Sequence, residues 1–316
     1  MGDRAMSEDI MRLLSRAEVE EPSTIAGLQV FGLRVDDRPS LDYATLDEVL
    51  AAELADVTEI DEGGSVPELK VVNKGDTMLF MMAGDQLIGA KQNRVLNAGI
   101  MVAAHSELLI PVSCTEMGRW DYSSRKFGSS GTSSHGKLRA MLARQVYQGY
   151  QSGKGPRSNQ AGVWNEVAAK LRAMGSHSES VALEQAYEDH GPTLKEIVGQ
   201  VGVPEGCSGA VFVVHSRIVG ADVFDKPATL AKLWPKLVQG YALDALEPCK
   251  GEPTPVTREV VREWLRRAAQ GKMERFKSVG LGDDIRVEAE EIVGAGLVVD
   301  DQPVHVEIFA EAAATP

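Results

Sequence analysis

Leu69-Lys70-Val71-Val72-Asn73-Lys74-Gly75-Asp76-Thr77-Met78-Leu79-Phe80-Met81-Met82 decides the fold class. Two short apolar runs flank a turn rich in Asn, Gly and Asp, the pattern of strand, turn and strand. Around it the same texture repeats. Short apolar segments at 27–35, 57–60, 94–97, 100–103 and 108–112 are separated by glycine or polar breaks. Parallel strands need crossover connections of a dozen or more residues, so breaks this short predict antiparallel pairing. The N-terminal block therefore reads as mainly antiparallel strands forming a sandwich or cupin-like half-barrel. One helix interrupts it: Thr45 caps a segment running to Leu54, and Glu48 stands at the spacing of a capping box. Residues 1–21 read as a mobile arm or a short docked helix around 10–14.

Downstream the periodicity changes. The run 128–134 contains only Gly, Ser and Thr and predicts a flexible loop, either a linker or a cover over a site. Apolar residues at spacings of three and four then predict helices over 136–150, after an Asn159 cap, after Ser178 or Ser180, and over 193–201. Segments 209–215 and 218–224 predict a hairpin turning at Ser216-Arg217. Residues 229–246 predict a helix that Pro235 kinks or divides. The proline-rich stretch 247–255 predicts a boundary. A helix over 256–269 and strands over 273–279, 285–289, 292–299 and 304–309 complete the chain, the last half-buried and frayed beyond residue 308. Strands and helices in blocks give an α+β class. The expected division is an acidic N-terminal arm (1–24), a main α+β domain (25–246) and an α+β C-terminal extension (247–316).

The chain of 316 residues carries 33 Lys+Arg against 46 Asp+Glu, a net charge of -13, which argues against a broad nucleic-acid surface. No run of apolar residues is long enough for a membrane helix and no secretory leader is recognisable, so a cytoplasmic location is expected. The three cysteines, Cys114, Cys207 and Cys249, are too few and too widely spaced for a four-cysteine zinc site or a disulfide framework. Charge is uneven. Residues 1–62 hold five basic and sixteen acidic side chains, whereas 84–126 hold five basic and four acidic. A pocket for a small anion fits the second stretch, as do ion pairs and solvated loops. Dinucleotide, P-loop, nucleophile-elbow and zinc-protease motifs are all missing.

Two tracts concentrate chemistry. In Gly89-Ala90-Lys91-Gln92-Asn93-Arg94, Arg94 offers a directed fork of donors, Lys91 a mobile charge, and Gln92 and Asn93 mixed donors and acceptors suited to a base, ribose or sugar. A satisfied turn network is the alternative. In Cys114-Thr115-Glu116-Met117-Gly118-Arg119-Trp120, Glu116 is a candidate acid/base or cation ligand and Arg119 an anion contact. Trp120 is a stacking wall or a core anchor. Cys114 reads as a nucleophile or a buried structural thiol. Asp85 and Glu116 are the leading catalytic carboxylates, provided that their loops converge at one end of the sheet. A divalent cation is a candidate to complete the pocket. Lys236 and Tyr241, on one broad side of a later helix, are further ligand contacts or packing residues.

The ordered set Asp42-Tyr43-Ala44-Thr45-Leu46-Asp47-Glu48, Gly64-Ser65-Val66-Pro67-Glu68-Leu69, Gly89-Ala90-Lys91-Gln92-Asn93-Arg94, Ile110-Pro111-Val112-Ser113-Cys114 with Glu116 and Gly118-Arg119-Trp120, and Lys236-Leu237-Val238 followed by Tyr241-Ala242-Leu243-Asp244-Ala245 resembles the domain family associated with ADP-ribosylglycohydrolases and rhodanese-phosphatases. The resemblance spans about 25–246, with the region after Cys249 outside the shared core. It implies an association with processing of ADP-ribose or related NAD-derived compounds. Its shared site would hold Lys91, Gln92, Asn93, Arg94, Glu116, Arg119 and Trp120, with Asp85 at a position that is often acidic. The expected function is hydrolase-like processing of an ADP-ribose-derived or other phosphorylated nucleoside or sugar. A non-enzymatic sensor of the same ligands and a protein-interaction scaffold are the alternatives. The expected partner is a small anionic nucleotide or sugar phosphate, with a protein partner also open.

Overall fold

The structure, a computed structural model, describes residues 2–36, 41–249 and 251–311. It is α+β, with helices and mostly antiparallel sheets in two compact units. The first unit comprises 1–41, 195–278 and 282–316; the second comprises 42–194 and 279–281. Elements are numbered along the chain.

The first unit is built on one eight-stranded antiparallel sheet. Its strands are β1 (Glu18–Ile25), β2 (Leu28–Arg34), β12 (Gly209–Val214), β13 (Arg217–Phe224), β14 (Lys272–Lys277), β15 (Asp283–Ala289), β16 (Ile292–Val299) and β17 (Gln302–Ala310). They lie side by side in the order β1, β2, β12, β13, β17, β16, β15, β14. On one face Phe31, Leu33, Val211, Val223, Val306 and Ile308 form an apolar core with α1 (Gly2–Arg16) and α8 (Arg258–Ala269). Those helices supply Ile10, Leu13 and Leu14, and Val261, Trp264, Leu265 and Ala268, at the spacing that aligns side chains on one helical face. Against the other face lies α7 (Pro227–Ala245), whose Tyr241 ring stacks on Phe212 at 3.9 Å.

The second unit holds β3 (Tyr43–Thr45) through β11 (Phe127–Ser133) and the helices α2 (Leu46–Ala51), α3 (Gly136–Gln151), α4 (Gln160–Met174) and α5 (Glu184–Asp189); α6 (Gly191–Val201) follows. Six strands, β4 (Ala55–Thr58), β5 (Glu68–Asn73), β7 (Asp85–Gly89), β8 (Arg94–Leu96), β10 (Ser106–Cys114) and β11, form a sheet ordered β11, β7, β8, β10, β5, β4. This sheet curls into a half-barrel: Lys126, leading into the edge strand β11, reaches Asp56 in the other edge strand β4 at 2.7 Å. A smaller sheet pairs β3 with β6 (Met78–Met81) in parallel and β6 with β9 (Ile100–Val102) antiparallel. The interior is filled by Val57, Leu69, Leu87, Leu96, Ile110, Val112 and Phe127, with Leu46 and Val49 from α2. The capping expectation at α2 holds: Glu48 accepts from the Thr45 backbone N–H at 2.9 Å. Asn159 likewise caps α4, accepting from the Gly162 N–H.

Several expectations are corrected. The Gly/Ser/Thr run is not a loop: Phe127–Ser133 is strand, paired to β7 through a bulge, because that neighbour supplies the ladder its composition does not. Strand β1 was not expected; it is polar, contains Pro22 and is an edge strand with a shifted register, where proline is tolerated. The hairpin turns one residue early, at His215-Ser216, both at positive φ, and Arg217 already pairs with Val214. Pro235 lies within an unbroken α7. The segment 304–309 is buried on both faces rather than one, and pairing runs through Phe309.

Candidate functional site

Register determines which candidate residues meet. Arg94 stands opposite Leu87 on one side and Cys114 on the other, so all three face the interior of the half-barrel. Residues two apart share a face, which turns Asp85, Val112 and Ile110 inward as well. Cross-strand partners carry the same face onward through Leu69 to β4, where Val57 points inward and Glu59 follows two residues later.

The same register separates the two leading carboxylates. β7 runs from Asp85 toward Gly89, and β10 runs alongside in the same sense, with Leu87 and Cys114 in one row through Arg94. Asp85 lies two residues before that row and Glu116 two residues after it. Four residues of extended chain cover about 13 Å, and strand β8 intervenes laterally. They stand at opposite ends of the half-barrel and do not converge on one water.

Each carboxylate already has a local task. Asp85 is buried and accepts from the Met82 N–H at 3.2 Å, closing the turn around Gly84. Glu116 is 5% exposed and accepts from the Asn93 N–H (3.1 Å), the Ser180 hydroxyl (2.7 Å) and the Arg119 guanidinium (2.7–3.1 Å). Burial pushes its carboxyl up, but the bonds from Arg119, Ser180 and Asn93 together prevail and hold it below the ordinary value. Arg119 also donates to the carbonyls of Ala90, Asp121 and Gly89, to Ser123 and to the Asn93 side chain. Glu116 and Arg119 thus fasten loop 89–93 to loop 115–123. Gln92 belongs to the same framework: it is buried, donates to the Met117 carbonyl and accepts from Arg94.

At that end of the half-barrel lies a different pair. The Arg94 side chain is 0% exposed and Glu59 is 3% exposed, with Nη2 and Oε1 3.5 Å apart. Arg94 Nη1 bonds the Gln92 carbonyl, but its Nε and Nη2, and both Glu59 oxygens, have no hydrogen-bond partner. A buried ion pair left without hydrogen bonds on so many of its polar atoms is uncommon and costly. Above them sit Lys91, whose Nζ bonds the carbonyls of Glu62 and Gly63, and the rings of Trp120 and Tyr122, 5.3 and 5.1 Å from that Nζ. Trp120 and Tyr122 are 42% and 49% exposed. Gly64, at φ +77°, packs so closely that a Cβ would lie 3.1–3.4 Å from Lys91, Trp120 and Glu59.

Cys114 faces the same interior, and burial raises its thiol to about 11 even with Arg94 nearby, which favours the neutral thiol near pH 7 over a nucleophilic thiolate. Lys236 and Tyr241 belong to α7 in the first unit; both are buried, and Tyr241 donates to Asp222 at 3.0 Å. Sequence reasoning missed Glu59. A signal for it was present, since Glu59 repeats the inward phase of Val57 in an alternating strand.

The model of one family, described as the ARG and Rhodanese-Phosphatase-superfamily-associated Protein domain, matches residues 16–309, and the chain belongs to that family. The match takes in the region after Cys249 as well as the motifs of the half-barrel. No match was found among curated proteins or among solved structures. No helix among the described residues is long and apolar enough to cross a membrane.

Proposed function

With that family membership as premise, we propose that this protein binds an ADP-ribose-derived or other phosphorylated nucleoside or sugar ligand at the mouth of the half-barrel. The observation that carries the reading is the buried Arg94–Glu59 ion pair, short of hydrogen bonds, beneath exposed Trp120 and Tyr122. Mouths of curled sheets are common ligand sites. A guanidinium fork suits phosphate, a carboxylate suits a ribose diol, and a ring beside a lysine suits a base. Ligand entry requires the Trp120 loop and the 61–64 turn to part.

Binding is favoured over hydrolysis by Asp85 and Glu116. The two stand at opposite ends of the sheet, and Glu116 is held ionised by its partners. Ligand-observed NMR against ADP-ribose, NAD, ribose phosphates and nucleotides tests the reading. Signals of at least one ligand should broaden without new product peaks, and Trp120→Ala should weaken binding about 10-fold, the scale of one lost stacking contact. Product peaks that vanish in Glu116→Gln would establish the hydrolytic reading instead. No binding by folded protein would sink the ligand site and leave a protein partner as the route to follow.

A further inference from the structure

We propose that Asp222, His305 and Glu307, on the sheet face that carries α7, form a binding site for one divalent transition-type cation, of the manganese or zinc class. The placement follows from register. In β17, Val304, Val306 and Ile308 are buried, and Val306 and Ile308 join the core beneath α1 and α8; alternation turns His305 and Glu307 to the opposite face. In β13, Ala221 and Val223 belong to that same core, so Asp222 also points away from it. Asp222 stands directly opposite Glu307, and His305 opposite Phe224 in the next inward row. One imidazole and two carboxylates thus meet on three neighbouring positions.

The donor geometry fits an ion. One ligand atom from each side chain lies within 4.8 Å of the other two, and His305 Nε2 shares a 2.9 Å hydrogen bond with Asp222 Oδ1 whose proton an ion would displace to solvent. Two ligands about 2.1 Å from a metal and at right angles are about 3.0 Å apart, so this edge already has chelate dimensions. An imidazole beside two carboxylates favours manganese or zinc over calcium or magnesium, which prefer oxygen throughout.

Two surrounding features orient the set as outer-shell contacts orient metal ligands. Tyr241 donates to Asp222 Oδ2 at 3.0 Å, which leaves Oδ1 directed at His305. The Phe224 ring stacks on the imidazole at 4.5 Å and 9°, fixing its plane. Gly220 permits the first contact, because a Cβ there would lie 2.7 Å from the Tyr241 hydroxyl.

Burial supplies the driving force. Asp222, His305 and Glu307 are 0, 3 and 4% exposed, and facing carboxylates in such a setting repel unless a cation stands with them. Lys236 and Arg286 are buried cations of the same unit, and Arg286 pairs with Asp284. If these alone balance the carboxylates, the cluster is a structural network and no ion binds.

Protein stripped with EDTA and dialysed, then titrated calorimetrically with manganese chloride and with zinc chloride, decides between them. The expected result is one ion per chain for at least one of the two metals, with affinity reduced at least about 10-fold in His305→Ala and in Glu307→Gln, and about 10-fold in Tyr241→Phe. Pulsed EPR of the manganese form of the wild-type protein, prepared with 15N-histidine, should show nitrogen coupling from a single imidazole. That measurement stands even if a variant fails to fold. Absence of stoichiometric binding to either metal by the folded wild type, bound manganese without nitrogen coupling, or affinities unchanged in folded His305→Ala and Glu307→Gln would overturn the proposal.

Discussion

At the level of single residues, ionisation divides the buried and half-buried carboxylates into two kinds. Burial, followed by repulsion from Glu188 one helical turn later, pushes the Glu184 carboxyl up from 4.5 to about 7. The folded state therefore prefers the protonated form. The stability this confers is fully present below the ordinary value of 4.5 and is lost as pH rises toward and through 7. Glu116 has the opposite sign: its contribution is present above 4.5 and is lost as pH falls through its lowered folded value. Glu184→Gln should remove the first slope, leaving the variant about 1–2 kcal/mol more stable than wild type at pH 8 and nearly equal at pH 4.5, after allowance for solvent screening. Urea denaturation at the two pH values measures this; equal differences at both would show that Glu184 titrates normally. Nothing in the sequence around Glu184 announces that behaviour. A glutamate in an amphipathic helix reads as solvated, and only packing determines how far it is withdrawn from water.

At the level of elements, legibility follows whether the signal is local. The capping box at Thr45 and Glu48, the Asn159 cap and the strand–turn–strand over β5 and β6 need only neighbouring residues, and they stand as read. Strand β11 has no such signal, because Gly and Ser adopt a strand only when a partner supplies the ladder. The site divides in the same way. Residues 91–94 and 116–120 do come together, but what joins them is the Glu116–Arg119 clamp. Sequence names those residues without showing that their hydrogen bonds are used between loops. Glu116→Gln should consequently act first on stability: removing one partner of a buried ion pair costs about 3 kcal/mol, and Arg119→Lys, lacking the guanidinium fork, should cost about 2 kcal/mol. Chemical denaturation measures both. Changes below about 0.5 kcal/mol would mean that the loops hold together without the clamp.

For the whole molecule, the decisive fact is that chain order and spatial order differ. The proline-rich segment at 247–255 has the composition of a linker, yet it connects α7 to α8 within one unit. Beyond it lie β14–β17, half of the eight-stranded sheet, and β17 pairs along β13 from Gly220↔Phe309 to Phe224↔His305. Val261, Trp264, Leu265, Val306 and Ile308 come from that last segment of the chain and pack in the same core as Phe31, Val211 and Val223. A chain ending at 246 would therefore lose α8 and four strands together. It would leave β13 as an unpaired apolar edge, an aggregation template. The remaining core side chains, at roughly 1.5–3 kcal/mol of burial each, would be uncovered. Such a truncation should be largely insoluble, or soluble without a cooperative unfolding transition, whereas one ending at 311 should keep the transition of the full chain. Circular dichroism and thermal unfolding of the two chains make the comparison. A soluble 1–246 chain with a sharp transition would show that residues 247–316 form a separable extension after all. Loss of that transition would place the stability of the first unit in pairings made across 81 to 89 positions of chain, from Phe224↔His305 to Gly220↔Phe309, where no local reading of the sequence reaches.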